Sequence, residues 1–244
     1  MTSKFLKRSW LIGLPIILLM GCATLPPPQK ITDPVELSNR VSYYYLKPSP
    51  DQIPVMLDAL SLPGFITWPE SIASYAGFFA EIFQQNQSRA RKWVRNVNPA
   101  GKSQALLLLY AIALSDVPGK ARLLERLQTT SGVDLSSGPY PHLVNISIAS
   151  LSPASAADLD LLWGAFMASG NDHHVKKIIE ALKFIDAEGD RSTFMLGFAA
   201  YWSLSSNVAQ HKKVRDICES ELAASSGRKA QLLDEILNQD RHSN

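Results

Sequence analysis

Apolar positions recur at spacings of three and four along most of this chain and seldom alternate. "SIASYAGFFAEIF" sets Ile72, Tyr75, Phe79 and Ile82 on one helical face, and "ADLDLLWGAFMA" does so with Leu159, Leu162, Trp163 and Phe166. "KKIIEALKFI" and "AQLLDEIL" repeat the period. Pro34, Pro50, Pro69, Pro99, Pro118 and Pro153 stand where such segments begin, a position at which a missing N–H costs little. Ser49, Ser103, Ser152, Asp172 and Asp190 are candidate N-caps. These signals predict helices over roughly 34–46, 50–61, 69–86, 88–97, 102–115, 118–128, 154–169, 172–187, 191–205, 207–224 and 228–239. Only "LVNISIASL" carries a strand signal, and it reads equally as a loop packed on the core.

The expectation is an all-α fold. Short polar joints make antiparallel αα-hairpins, stacked as an irregular helical-repeat array in one domain or two close lobes. Tyr75-Ala-Gly-Phe-Phe-Ala80 echoes Trp163-Gly-Ala-Phe-Met-Ala168, and a polar joint and second helix follow each. The echo suggests a duplicated hairpin, although any packed helix pair favours an aromatic and small residues there. The general look is similar to tetratricopeptide proteins in architecture alone, because their repeat of about 34 residues is absent.

The start of the chain breaks this pattern. Lys4, Lys7 and Arg8 precede an apolar run from Trp10 to Met20, which is shorter than the roughly 20 residues of a spanning helix. It reads as a secretory leader. Leu19-Met20-Gly21-Cys22 resembles the lipobox of bacterial membrane lipoproteins: an aliphatic residue, a variable one, a small one, then cysteine. The resemblance implies cleavage after Gly21, a diacylglyceryl group on the Cys22 sulfur and acylation of the new amino group. Two or three acyl chains make such attachment stable. In that family an aspartate after the cysteine retains the protein at the inner membrane; Ala23 implies the outer membrane instead. Pro26, Pro27 and Pro28 favour an extended spacer. The chain also looks like uncharacterised bacterial lipoproteins with an aromatic-x-x-Phe helix motif. The expected organisation is leader 1–21, lipidated cysteine and tether 22–33, helical lobe 34–128, connecting loop 129–152 and helical lobe 153–240.

The charge of +2 belongs to the whole chain; without Lys4, Lys7 and Arg8 there are 21 basic residues against 22 acidic, a net of −1. Nothing in that balance points to nucleic acid. With Cys22 lipidated, Cys218 has no disulfide partner, and Val214, Ile217 and Leu222 around it predict a buried thiol.

Candidate chemistry is sparse. Gly101-Lys102-Ser103 lacks the glycine a phosphate loop needs, because Asn96 stands there, and a helical rather than a strand pattern precedes it. It reads as an interhelical turn capped by Ser103. His173 and His174 are adjacent and point about 100° apart on a helix, so they cannot share an ion and read as solvated first-turn residues. Glu219-Ser220 matches the start of the lytic transglycosylase motif, but that family's downstream Gly-Leu-Met-Gln stretch is missing. No cofactor or metal is expected, and no catalytic residue is assigned. Arg89, Arg91, Lys92, Arg95 and Lys102, with no acid between Glu81 and Asp116, form either a surface for an anionic partner or an ordinary solvated face. Trp93 among them reads as core. Tyr140 and His142 sit in the long stretch from Thr129 to Ser152, which is either a plain connector or a loop lining a groove. "FMLGFAAYWSLSS" reads as packed core, with Gly197 admitting a close neighbour.

The expected function is a non-enzymatic, lipid-anchored binding or scaffold protein of the bacterial envelope, facing the periplasm. Its partners are the membrane, through the lipid, and a protein or peptide. A peptidoglycan-acting enzyme and a carrier of a lipid-like ligand are the alternatives.

Overall fold

The computed structural model describes residues 29–239, apart from 63, 67, 68 and 98. The leader, Cys22 and the three-proline tether lie outside the described residues. Among the described residues eleven α-helices follow one another: α1 (Pro34–Ser42), α2 (Ile53–Ala59), α3 (Pro69–Gln85), α4 (Gln87–Asn96), α5 (Lys102–Leu114), α6 (Lys120–Ser131), α7 (Ala156–Ser169), α8 (Asp172–Glu180), α9 (Arg191–Gln210), α10 (Lys212–Ala223) and α11 (Gly227–Gln239). The fold is all-α. Among the described residues there is no strand, and "LVNISIASL" is a turn and a packed loop.

Three helices make the centre. α5 is buried from Gln104 to Leu114, α7 from Asp158 to Ala168 apart from Asp160, and α3 buries Phe78, Phe79, Ile82 and Phe83. A helix that is apolar all round must be covered on every side. α3 is covered by α7, its largest partner, and by α5. The echoed segments meet each other at this crossing. A Cβ on Gly77 would overlap the Leu161 carbonyl, and one on Gly164 would overlap the Ser74 carbonyl. The two registers run in opposite senses, and glycine at both positions lets the backbones touch. Buried side chains from Ile31 to Leu237 form one continuous cluster.

Several predicted starts move, each for a local reason. Ser103 does not cap α5; Gly101 does, while the buried Gln104 accepts from Ala100 N at 2.8 Å and donates to Leu57 O at 3.1 Å. Ser155, not Ser152, caps α7: it accepts from Asp158 N, and the Asp158 carboxylate accepts from Ala154 N at 2.9 Å. Asn171, not Asp172, caps α8. Ser49 makes no side-chain cap; a 3₁₀ turn at Pro50–Gln52 leads into α2 instead. Asp190 caps α9 as predicted, accepting from Ser192 N and Thr193 N, and these bonds with the two hydroxyls hold its carboxyl down at about 2. α9 runs on past 205 to Gln210, where His211 ends it.

The stretch from Thr129 to Ser152 is more ordered than a bare connector. α6 runs into it as far as Ser131, and 3₁₀ turns at Leu135–Ser137 and Pro141–Asn145 follow. Val133, Leu135, Leu143, Ile148 and Leu151 are buried.

Candidate functional site

The cationic stretch of α4 is amphipathic. Ala90, Trp93 and Val94 are buried; Arg89, Arg91, Lys92 and Arg95 are exposed. A cleft of about 560 Å³ opens between α4 and α2, lined among others by Pro54, Asp58, Arg89, Lys92, Trp93 and Asn96. Trp93 is core, as predicted, yet one side of its ring also forms part of the cleft wall. The Arg89 guanidinium lies 5.2 Å above that ring and pairs with Asp51. Asp51 is well exposed, so this ion pair contributes at most about 1 kcal/mol and mainly orients Arg89. Lys92 makes no hydrogen bond or ion pair among the described residues. The cleft therefore offers one uncommitted cation, one oriented cation, an aromatic face and a polar rim that includes the Asp58 carboxylate.

The five predicted cations do not act as one surface. Arg91 donates to Pro118 O at 3.0 Å, ahead of α6. Arg95 donates to Arg91 O at 3.3 Å, and Arg126 of α6 donates to Arg95 O at 3.0 Å. Arg91 and Arg95 share a face, as their spacing requires, and that face ties α4 to α6. Lys102 stands exposed at the start of α5. Arg89 and Lys92 alone line the cleft.

Tyr140 and His142 are held against the centre of the molecule and do not line that cleft. The Tyr140 ring lies 5.5 Å from Tyr110 of α5, whose hydroxyl accepts from Tyr140 N at 2.9 Å. His142 Nε2 is 3.0 Å from Asp158 Oδ1 at the start of α7. Asp158 is almost wholly buried, and its two oxygens are satisfied by His142 and Ala154 N. A carboxylate that orients a histidine makes two of the three members of a nucleophilic triad. Among the described residues no serine, threonine or cysteine is hydrogen-bonded to His142.

Cys218 is buried, and burial pushes its thiol up to about 12. A thiol so rarely ionised is a poor nucleophile. Its neighbour Glu219 is exposed on α10. Burial raises the Glu221 carboxyl, but bonds from Lys229 at 3.1 Å and Lys176 at 3.2 Å outweigh it and bring the group below its usual range.

The histidine pair divides. His173 is exposed, but His174 is 2% exposed, which corrects the solvated reading. His174 Nε2 faces Glu81 Oε2 at 3.5 Å, across from α8 to α3, and neither ring nitrogen has a hydrogen-bond partner. Gln85 donates to Glu81 at 2.9 Å. In the sequence Glu81 stands out only as the acid that precedes the acid-free run up to Asp116. Its partnership spans nearly a hundred positions, and no local spacing signals it. No group of three or more metal-ligating side chains lies together among the described residues.

The core reading of "FMLGFAAYWSLSS" holds for one side of α9. Leu196, Gly197, Ala200 and Leu204 are buried, and a Cβ on Gly197 would overlap the backbone at Phe184 and Ile185. Phe194, Met195, Phe198 and Trp202 face outward. This is a correction. The helix is apolar on both sides, so its period does not separate the packed face from the open one.

No family model, curated protein or solved structure matches this chain.

Proposed function

We propose that this chain is a lipid-anchored, periplasm-facing binding protein of the bacterial envelope, in which the α2–α4 cleft receives an acidic segment of a protein partner. The observation that carries the reading is the cleft itself. Lys92 and Arg89 stand beside an aromatic wall in a concavity of about 560 Å³, large enough for a few side chains. Lys92 bears no structural load, so its charge is available for recognition. Arg over Trp presents a flat cationic surface that suits a carboxylate. The lipobox at Leu19–Cys22 supplies the address, and stacked αα-hairpins supply a scaffold suited to protein segments.

The test is site-specific photo-crosslinking in cells. A benzoylphenylalanine at Asn96, on the cleft rim, captures a partner. Lys92→Glu abolishes the adduct, and Lys92→Arg retains it. An alkynyl fatty acid tags the parent chain and not Cys22→Ala. An adduct indifferent to the charge at position 92 overturns the cleft reading, and an untagged parent chain overturns the anchor.

A further inference from the structure

The outward side of α9 stands apart from the rest of the surface. Phe194, Met195, Phe198 and Trp202 are 40%, 48%, 46% and 69% exposed and follow one helical stripe. The Phe194 and Phe198 rings stack at 6.3 Å. Between Arg191 and Lys212 the chain carries no Asp, Glu, Lys or Arg. α5 is also nearly free of charge, but it is buried from Gln104 to Leu114. On α9 an uncharged, aromatic helix meets the outside.

We propose that this stripe lies in the surface of the bilayer that holds the protein. The inference rests on the reading that Cys22 carries the anchor. Six residues separate Cys22 from Gln29, the first described residue. At no more than about 3.6 Å per residue, even a fully extended link reaches only roughly 25 Å. A globular body of this length is on the order of 40 Å across. The body is held within the roughly 25 Å reach of that link from the headgroups, so an apolar face on it meets them at high effective concentration. The helix that follows the entry point, α1, reaches the C-terminal end of α9. Ile31 is buried, α1 and α9 both pack on α7, and Tyr43 after α1 lies 5.1 Å from His211 after α9.

The chemistry fits the interfacial layer. Tryptophan concentrates where acyl chains meet headgroups, and Trp and Phe form the buried face of helices that lie in that layer. Among the described residues no helix is long and apolar enough to cross a membrane, so α9 lies in the plane. The four side chains offer roughly 400 Å², taking about 150–250 Å² for a whole aromatic group. That is about half of the roughly 800 Å² per partner of a stable protein dimer. A second copy is therefore poorly supported, whereas a bilayer already held in place by acyl chains needs only a small additional contact.

The test uses the full lipidated chain with Trp202→Cys, labelled with an environment-sensitive fluorophore. Cys218 is buried and does not take the label. The protein is reconstituted in vesicles of phosphatidylethanolamine and phosphatidylglycerol containing a nitroxide-labelled lipid. Phe198→Cys is the second probe, and Ser136→Cys, exposed beside α5, is the reference. The expected result is quenching severalfold stronger at 202 and 198 than at 136, unchanged by added salt, because the contact is apolar rather than coulombic. Equal quenching at all three positions overturns the proposal, whether or not Cys22 is acylated. Disulfide-linked dimers through Trp202→Cys without selective quenching also overturn it and assign the face to a second copy. Mass analysis of the same preparation reports acylation at Cys22; its absence overturns the anchor reading independently.

Discussion

His211 is the hinge residue between α9 and α10, and its ring is buried against two tyrosines. Nδ1 lies 3.2 Å from the Tyr45 hydroxyl, and the Tyr43 and Tyr45 rings sit 5.1 and 5.9 Å away. Burial holds the imidazole below its ordinary value of 6.5. The neutral ring is the folded form, with Nδ1 hydrogen-bonded to the Tyr45 hydroxyl. The unfolded chain takes up a proton more readily than the folded one, so stability rises with pH across this group's range. The contribution is fully present above 6.5 and is lost as pH falls through the lowered folded value. Melting temperature is expected to drop between about pH 7.5 and about pH 5, and His211→Gln flattens that drop relative to the parent chain. NMR titration of the His211 ring checks the assignment; a midpoint at or above 6.5 refutes it. Residue-scale features were legible where their partners are close in sequence. Asp190 is such a case, because its carboxylate accepts from Ser192 and Thr193, two and three positions on. Ser155 carries the Ser-x-x-Asp capping signature, which Ser152 lacks. The burial of His174 has no local signal, because its neighbour Glu81 is remote in the chain.

At the scale of elements, the α3–α7 crossing sets the geometry of everything around it. Gly77 and Gly164 face the opposite backbone with no room for a methyl group. An added Cβ must push the helices apart and break contacts along both, an overpacking cost of about 3 kcal/mol. For a domain of this size that is a fall of roughly 6–12 °C in Tm. Gly77→Ala and Gly164→Ala are each expected to show it by thermal unfolding. The double variant is less than additive, because the first substitution already opens the crossing for the second. Gly101→Ala is the control: nothing lies near its Cβ position, and its cost stays below about 1 kcal/mol. The echo between residues 75–80 and 163–168 was visible in the sequence as two similar segments. That the segments are each other's packing partners was not, because similarity of pattern says which residues want burial and not which helix buries them. The same limit explains α9. Its period suited a core helix, and nothing local distinguishes the side bearing Gly197 from the side bearing Trp202.

At the scale of the molecule, the all-α class follows directly from the period of apolar positions. The cleft was half legible: the cations were, but their division between the cleft and the α6 side depends on where Pro118 and Arg126 fall in space. The division of labour between chain halves follows from the core. α3 lies in 34–128 and α7 in 153–240, and their mutual interface is the largest in the structure. Separated, each half exposes a helix built to be covered on all sides, with Phe78, Phe79 and Phe83 open on one and Leu161, Leu162 and Phe166 on the other. Neither half retains enough buried surface to offset its chain entropy. Residues 29–134 and 135–239 expressed alone are therefore expected to lack a cooperative thermal transition. Co-expressed with a tag on one, they are expected to co-purify and to melt together. Circular dichroism of each half and of the pair decides it. Two halves that each melt cooperatively alone would mean that α3 and α7 dock as finished surfaces rather than complete a shared core.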